Sequence, residues 1–221
     1  MLWSMKNLDE YTILTTDGER KPLLTTLFDE ATWECRYLIV KPEGFSPTPV
    51  MIAFTAMNSP NRVAHTLPVE LTAQQVKNSP TIVMNMLMTP STQQRLNACY
   101  TLYQYWALSG YATSSLPVAL ISSPELPQPE ATIFHDTREL LTMTVSANDG
   151  DIGTVHDLIV ADDAAWAIRY LVINSNLGEL GQIVWIPPEL TESVNWKESR
   201  IVVDISLDQV DTELTTQPQG V

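Results

Sequence analysis

Positive charge is scarce in this chain: 12 Lys and Arg stand against 26 Asp and Glu, for a net charge of −14. Such a surface repels phosphate backbones, whose binding depends on Lys and Arg displacing counterions, and it disfavours anionic lipid headgroups. No local cluster of basic residues offsets the average, so nucleic acid is not an expected partner. Cysteine is as sparse. Cys35 and Cys99 make neither a zinc-ligand pattern nor a disulfide framework, and Cys35, inside an apolar run, reads as a small buried hydrophobe. No apolar run approaches the about 18 residues that a bilayer span needs, and the first residues show no leader pattern of charge followed by apolar residues. These absences predict a reduced, cytoplasmic protein with no membrane insertion. Glycine is low too, at 8 residues against 15 prolines, which points to many strand boundaries rather than long helices. Hydrophobic residues at 44% are ample for a core.

The most informative feature is a phrase written twice. "TWECRYLIV" holds Trp33, Arg36, Tyr37, Leu38 and Val40; "AAWAIRYLVI" holds Trp166, Arg169, Tyr170, Leu171 and Ile173. The flanks repeat in the same order. Asp17-Gly18 falls on Asp149-Gly150, Asp29-Glu30 on Asp162-Asp163, "MIAF" (51–54) on "IVWI" (183–186), and "VELTAQQV" (69–76) on "VDISLDQV" (203–210). Four blocks in one order are far harder to reach by chance than one, and a register drift of one or two residues belongs in turns. The chain therefore divides into a first unit (1–80), a connector (81–130), a second unit (131–215) and a tail (216–221).

Each unit reads as β. Asp-Gly between apolar runs is a hairpin signal, because glycine supplies the positive φ the turn demands. β-branched and aromatic residues dominate "TVHDLIV" and "WAIRYLVI". Strict alternation puts Trp166, Ile168, Tyr170 and Val172 on one face and Ala167, Arg169, Leu171 and Ile173 on the other. Both faces are largely apolar, which fits a small sheet curled into a barrel. The blocks "LTAQQV" and "SLDQV" read as short terminal helical turns. The connector differs, with Arg95, Glu125 and Glu130 its only charges. Ser91 and Gln94 fit a capping box, and Leu96, Cys99, Tyr103 and Trp106 recur at helical spacing, which predicts one amphipathic helix over about 92–108.

These residues resemble the PRC-barrel domain family. In the second unit the likeness lies in Asp149-Gly150, Gly153, Val155, Asp162-Asp163, Trp166, Arg169-Tyr170-Leu171-Val172 and "PPELTESVNW" (187–196). In the first it lies in Asp17-Gly18, Asp29-Glu30, Trp33, Arg36-Tyr37-Leu38-Ile39-Val40 and "QQVKNSP" (74–80); the first unit lacks counterparts of Gly153 and of "PPELTESVNW". The resemblance covers both units and not the connector. It implies a mainly β fold: two small, strongly bent PRC-type β-barrels in tandem, joined by an α-helix. That family includes the cytoplasmic part of the photosynthetic reaction-centre H subunit, the C-terminal domain of a ribosome maturation factor, and stand-alone bacterial proteins of unknown role, some of them duplicated.

The motif is a folding motif and brings no catalytic constellation. Arg36 and Arg169 present guanidinium forks suited to anchoring a ligand, but their presence in both units favours bracing against Asp29-Glu30 and Asp162-Asp163. His65, His135 and His156 have no mutual metal-ligand spacing. No hydrolase elbow, zinc-protease motif, phosphate loop or dinucleotide fingerprint occurs. The expectation is a protein without enzymatic activity, cofactor or metal. Tyr100, Tyr103 and Trp106 form an aromatic stripe suited to a partner surface or to burial, within the chain or across a homodimer. The first unit carries 7 basic and 9 acidic residues, and the stretch 131–221 carries 4 and 15. The acidic second unit would steer a basic protein partner. The leading expectation is an interaction or assembly module whose barrels pack together through the connector. The alternative is a small-molecule or metal-binding protein with a site between the barrels near Arg169, Asp157 and His156.

Overall fold

The computed structural model describes residues 1–41, 48–81, 134–163, 166–177 and 182–216. Among them the chain is mainly β, with thirteen strands in two mixed sheets and short helices. The first sheet runs β5 (Val50–Ala53), β4 (Glu34–Val40), β3 (Arg20–Asp29), β2 (Thr12–Leu14) and β6 (Thr66–Pro68), with β7 (Phe134–Asp136) added on β3. The second runs β11 (Ile183–Ile186), β10 (Ile168–Ser175), β9 (Asp151–Ala161), β8 (Thr144–Ser146), β13 (Arg200–Val203) and β12 (Thr191–Asn195), with β1 (Leu2–Ser4) added on β9. One pair in each sheet is parallel, β2 with β6 and β8 with β13; the others are antiparallel. Neither strand order closes on itself among the described residues. The expected connector helix, with Tyr100, Tyr103 and Trp106, lies outside them, as does any packing through the connector. No helix of the described residues is long and apolar enough to cross a membrane.

The helical turns α2 (Ala73–Lys77) and α4 (Leu207–Glu213) begin where Thr and Ser follow a strand. Thr72 with Gln75 and Ser206 with Gln209 form complete capping boxes, which satisfy otherwise orphaned N–H groups. The Asp-Gly turns reach these same helix starts. The Asp17 carboxylate accepts from the Ala73 N–H at 3.0 and 3.1 Å, and Asp149 accepts from the Leu207 N–H at 2.9 Å. Hydrogen bonds from Thr15 and Ala73 hold the Asp17 carboxyl below the usual carboxylate range. Gly18 has the expected positive φ of 86°. Gly150 does not. A Cβ there would meet Leu207 Cδ1 at 3.0 Å, so what that position requires is close helix approach rather than a left-handed turn.

The doubled phrase breaks the expected alternation. In the β3–β4 pair, Leu27 faces Tyr37 and Phe28 faces Cys35, so Arg36 is skipped; in the β9–β10 pair, Ile159 faces Tyr170 and Val160 faces Ile168, so Arg169 is skipped. Each arginine is thus the extra residue of a β-bulge, which bends its strand and exchanges its faces. Trp166, Ile168, Leu171 and Ile173 consequently all enter the main core cluster, while Tyr170 and the buried Val172 lie outside it. Leu24 and His156 are skipped in the same way on the long strands β3 and β9. Bulges at both ends explain how strands of 10 and 11 residues stay bent.

The two halves are interleaved. β1 pairs with β9 in the other half (Leu2 with Ala161, Trp3 with Val160, Ser4 with Ile159), and β7 returns to β3 (Phe134 with Asp29, His135 with Phe28, Asp136 with Leu27). Each short strand leads into a short helix, α1 (Met5–Asp9) and α3 (Thr137–Leu140). One hydrophobic cluster runs through both halves, from Ile13, Phe28 and Leu38 to Val145, Leu158 and Ile201.

Gly153 marks the tightest point of the second sheet. A Cβ on it would lie 2.1 Å from the Asn174 carbonyl oxygen and 2.8 Å from Ser175 Cα, both backbone atoms that cannot step aside. Gly153→Ala is expected to force β9 and β10 apart and to cost about 3 kcal/mol or more, read as a lower midpoint in urea unfolding. An alanine variant as stable as the wild type would refute this contact.

Candidate functional site

The tryptophans of the doubled phrase meet where the sheets cross. Trp33 and Trp166 both occupy left-handed backbone, at φ 55° and 49°, a conformation costing a non-glycine residue about 1–2 kcal/mol. The crossing repays it with two backbone hydrogen bonds. The Cys35 N–H donates to the Trp166 carbonyl at 3.0 Å, and the Ile168 N–H donates to the Trp33 carbonyl at 2.8 Å, flanking a bridge between Glu34 and Ala167. Trp166 packs at 5.2 Å on Phe54 of the opposite half, and Trp33 stacks on Phe28 at 5.6 Å. Cys35 is buried here, which pushes its thiol pKa well up and leaves it unreactive.

Beside the crossing lies an open depression of about 320 Å³, whose lining includes Thr32, Trp33, Arg169, Pro188, Glu189 and Thr191. Arg169 is tied to Asp163 at 2.6 Å. Arg36 pairs with Glu34 and lies 3.9 Å from Asp29. Both guanidinium groups are half exposed and both are engaged within the chain. Tyr37 packs edge-on against Phe134 at 5.2 Å, and burial raises its pKa; Tyr170 meets Trp185 at 6.4 Å. The lining of this depression includes Arg169 but neither Asp157 nor His156. His156 Nδ1 stands 3.3 Å from Lys6 Nζ, and Asp157 is occupied at the start of α1. Among the described residues no group of three His, Cys, Asp or Glu side chains could hold a metal ion.

Sequence reasoning passed over a second cluster at the same seam. The His135 ring on β7 lies flat on the Trp196 indole of the β12–β13 turn, with centroids 3.5 Å apart and planes 1° from parallel. The Glu30 carboxylate accepts from Trp196 Nε1 at 3.0 Å. The same oxygen is 3.0 Å from His135 Nε2 but out of line for a hydrogen bond, and Glu139 approaches Nδ1 at 4.0 Å. Burial lowers the His135 pKa, partly offset by Glu30 and Glu139. Nothing local announces this group, because His135 and Trp196 stand about sixty residues apart and Glu30 comes from the other half.

A third group surrounds the helix ends. Ser4 Oγ donates to Asp157 Oδ2 at 2.5 Å, and Asp157 Oδ1 accepts from the Lys6 N–H at 3.1 Å. On the other sheet Thr25 Oγ1 donates to Asp136, which accepts from the Arg138 N–H at 2.8 Å and pairs with the Arg138 guanidinium at 2.7 Å. Asp9 lies near both. Burial pushes its pKa up to about 6; Arg138 opposes the shift, and Asp136 and Asp157 add to it. One of its oxygens is buried without a partner.

These two shifts act oppositely on stability. The native state holds His135 less readily protonated than the unfolded chain does. Its contribution is therefore complete above the ordinary histidine range, begins to fall away as pH drops below about 6.5, and is lost once pH passes below the lowered native value. Native Asp9 binds its proton more tightly than the unfolded chain. Its burden is absent below about 4 and complete above about 6. Asp9→Asn is expected to stabilise the protein by about 1–2 kcal/mol at pH 8, with the gain vanishing below pH 4, in urea titrations across that range. A pH-independent gain would refute the assignment. The chain matches no protein-family model and no curated protein.

Proposed function

We propose that this chain is a non-catalytic protein-interaction module built from two PRC-like units, and that its partner adds an extended, basic segment to the edge of β12. Support for two copies of one unit comes from paired details. Both halves have an Asp of an Asp-Gly turn bound to a capped helix, a left-handed Trp, and an Arg at a bulge. The observation that carries the binding mode is an asymmetry between them. β12 pairs with β13 on one side, and no described residue pairs with its other side; Glu192, Ser193 and Asn195 are exposed. The matching stretch of the first half makes only isolated bridges, Asn61 with Thr66 and Met57 with Val69. Pro60 there stands where Val194 stands in β12, one residue before Asn61 and Asn195, which face Thr66 and Arg200. Proline blunts an edge because it offers no N–H. Valine leaves the donor in place. Exposed backbone donors and acceptors give such an edge affinity for an extended strand, and the acidic surroundings favour a basic one.

Asn61 and Thr66 exchange both backbone hydrogen bonds, so the preceding residue directs its N–H outward. Val194→Pro therefore removes an outward donor while sparing the β12–β13 pairing. Random peptides displayed on phage are expected to enrich for basic, β-branched sequences on the wild type and not on Val194→Pro. Equal enrichment on both would overturn the reading.

The depression beside the crossing favours a second reading, a small-molecule site bounded by Trp33, Arg169 and Glu189. A thermal-shift series with anionic metabolites distinguishes it: a ligand-dependent rise that Arg169→Met removes would support it.

A further inference from the structure

The strands that cross between halves carry a polarity code. β1 on β9 and β7 on β3 have matching registers: Ser4 and Asp136 occupy one position, with Ile159 and Leu27 opposite. The side chain each one binds lies two residues before its opposite number, at Asp157 and Thr25 respectively. The same two positions thus hold the same pair of groups, a hydroxyl and a carboxylate, with the owners exchanged. In one copy the crossing strand brings the hydroxyl (Ser4) to a carboxylate on the sheet (Asp157). In the other it brings the carboxylate (Asp136) to a hydroxyl on the sheet (Thr25). Both arrangements deliver one carboxylate oxygen to the backbone N–H two residues beyond the crossing residue, Lys6 at 3.1 Å and Arg138 at 2.8 Å. One shared requirement is met from opposite sides.

We propose that this exchange makes each sheet edge selective for the crossing strand of the other half. The β9 edge accepts a hydroxyl-bearing strand, and the β3 edge accepts a carboxylate-bearing one. Were β7 to fold back onto β9, Asp136 would meet Asp157, two carboxylates at hydrogen-bond distance with no proton between them. Were β1 to fold back onto β3, Ser4 would meet Thr25, and the Lys6 N–H would have no carboxylate. The second half therefore excludes itself as a partner at neutral pH. The charged groups around the two sites are Lys6, His156 and Asp9 near Asp157, and Arg138 and Asp9 near Asp136. This inference concerns the contact between the halves and stands whether or not β12 receives a partner.

The test uses the full chain with paired substitutions. Ser4→Asp places a carboxylate against Asp157 while keeping a residue that caps helices well, as Asp136 does for α3. Ser4→Asp alone is expected to lower the melting temperature by about 5 °C at pH 7.5, with part of the loss recovered at pH 5 as one carboxyl takes a proton. Ser4→Asp combined with Asp157→Thr recreates the polarity of the other crossing and is expected to restore most of the loss. A double variant no more stable than Ser4→Asp overturns the code. A second measurement covers partner choice. A protease site inserted in the connector allows the folded chain to be cut at pH 7.5 and followed by native mass spectrometry. One-to-one pairs of unlike halves are expected. Homodimers of the second half in equal amount would overturn the selectivity even if the double variant were rescued.

Discussion

Everything in this molecule depends on the reciprocal loan of two short strands. Without β1 the edge of β9 is bare, and without β7 the edge of β3 is bare. The backbone bonds at the Trp33–Trp166 crossing add a second tie, and a single apolar cluster spans both halves. A half of about 80 residues would bury a modest share of its surface alone. Sharing one interior raises that share, which offsets the strain held at the two left-handed tryptophans and the burial of Asp9. The cost of the arrangement is a loop-closure entropy, since the pairing partners stand more than 100 residues apart (Leu2 with Ala161, Asp29 with Phe134), but that term grows only slowly with separation.

How far the sequence discloses this varies with the range of the physics involved. Capping boxes are local, and both stood in plain view at Thr72–Gln75 and Ser206–Gln209. Strand content was equally legible from β-branched and aromatic density. The doubled Trp-x-x-Arg-Tyr phrase was visible as a repeat, yet its meaning was not. Alternation assumes an unbroken ladder, and Arg169, which alternation puts on one face with Leu171 and Ile173, is the residue the ladder leaves out. A charged residue inside an apolar run is the only trace such a bulge leaves in the sequence. The Asp-Gly pairs were half read: the turn was expected, but the carboxylate's reach to a helix nearly sixty residues later was not.

The crossing strands were illegible for a different reason. "LWS" and "FHD" are three residues each, too short for any period to register. What identifies them is a partner in the other half. The same holds for His135 on Trp196 above Glu30, whose members come from three strands or turns brought together by the exchange itself. The sites that look most specific in the fold are therefore those with no local signature.

The differences between the halves follow a pattern that separates scaffold from surface. Positions that hold the interleaved frame keep their chemistry even when its ownership changes, as Ser4–Asp157 and Thr25–Asp136 do. Positions facing outward at the closing edge do not: Pro60 silences one edge, and Val194 leaves the other able to pair. A frame maintained by exchange tolerates such asymmetry because each half's stability is underwritten by the other. The β12 edge can then stay open, with acidic side chains discouraging edge-to-edge pairing between like copies. The edge of β12 is thus the place where the two halves differ most in what their backbones expose.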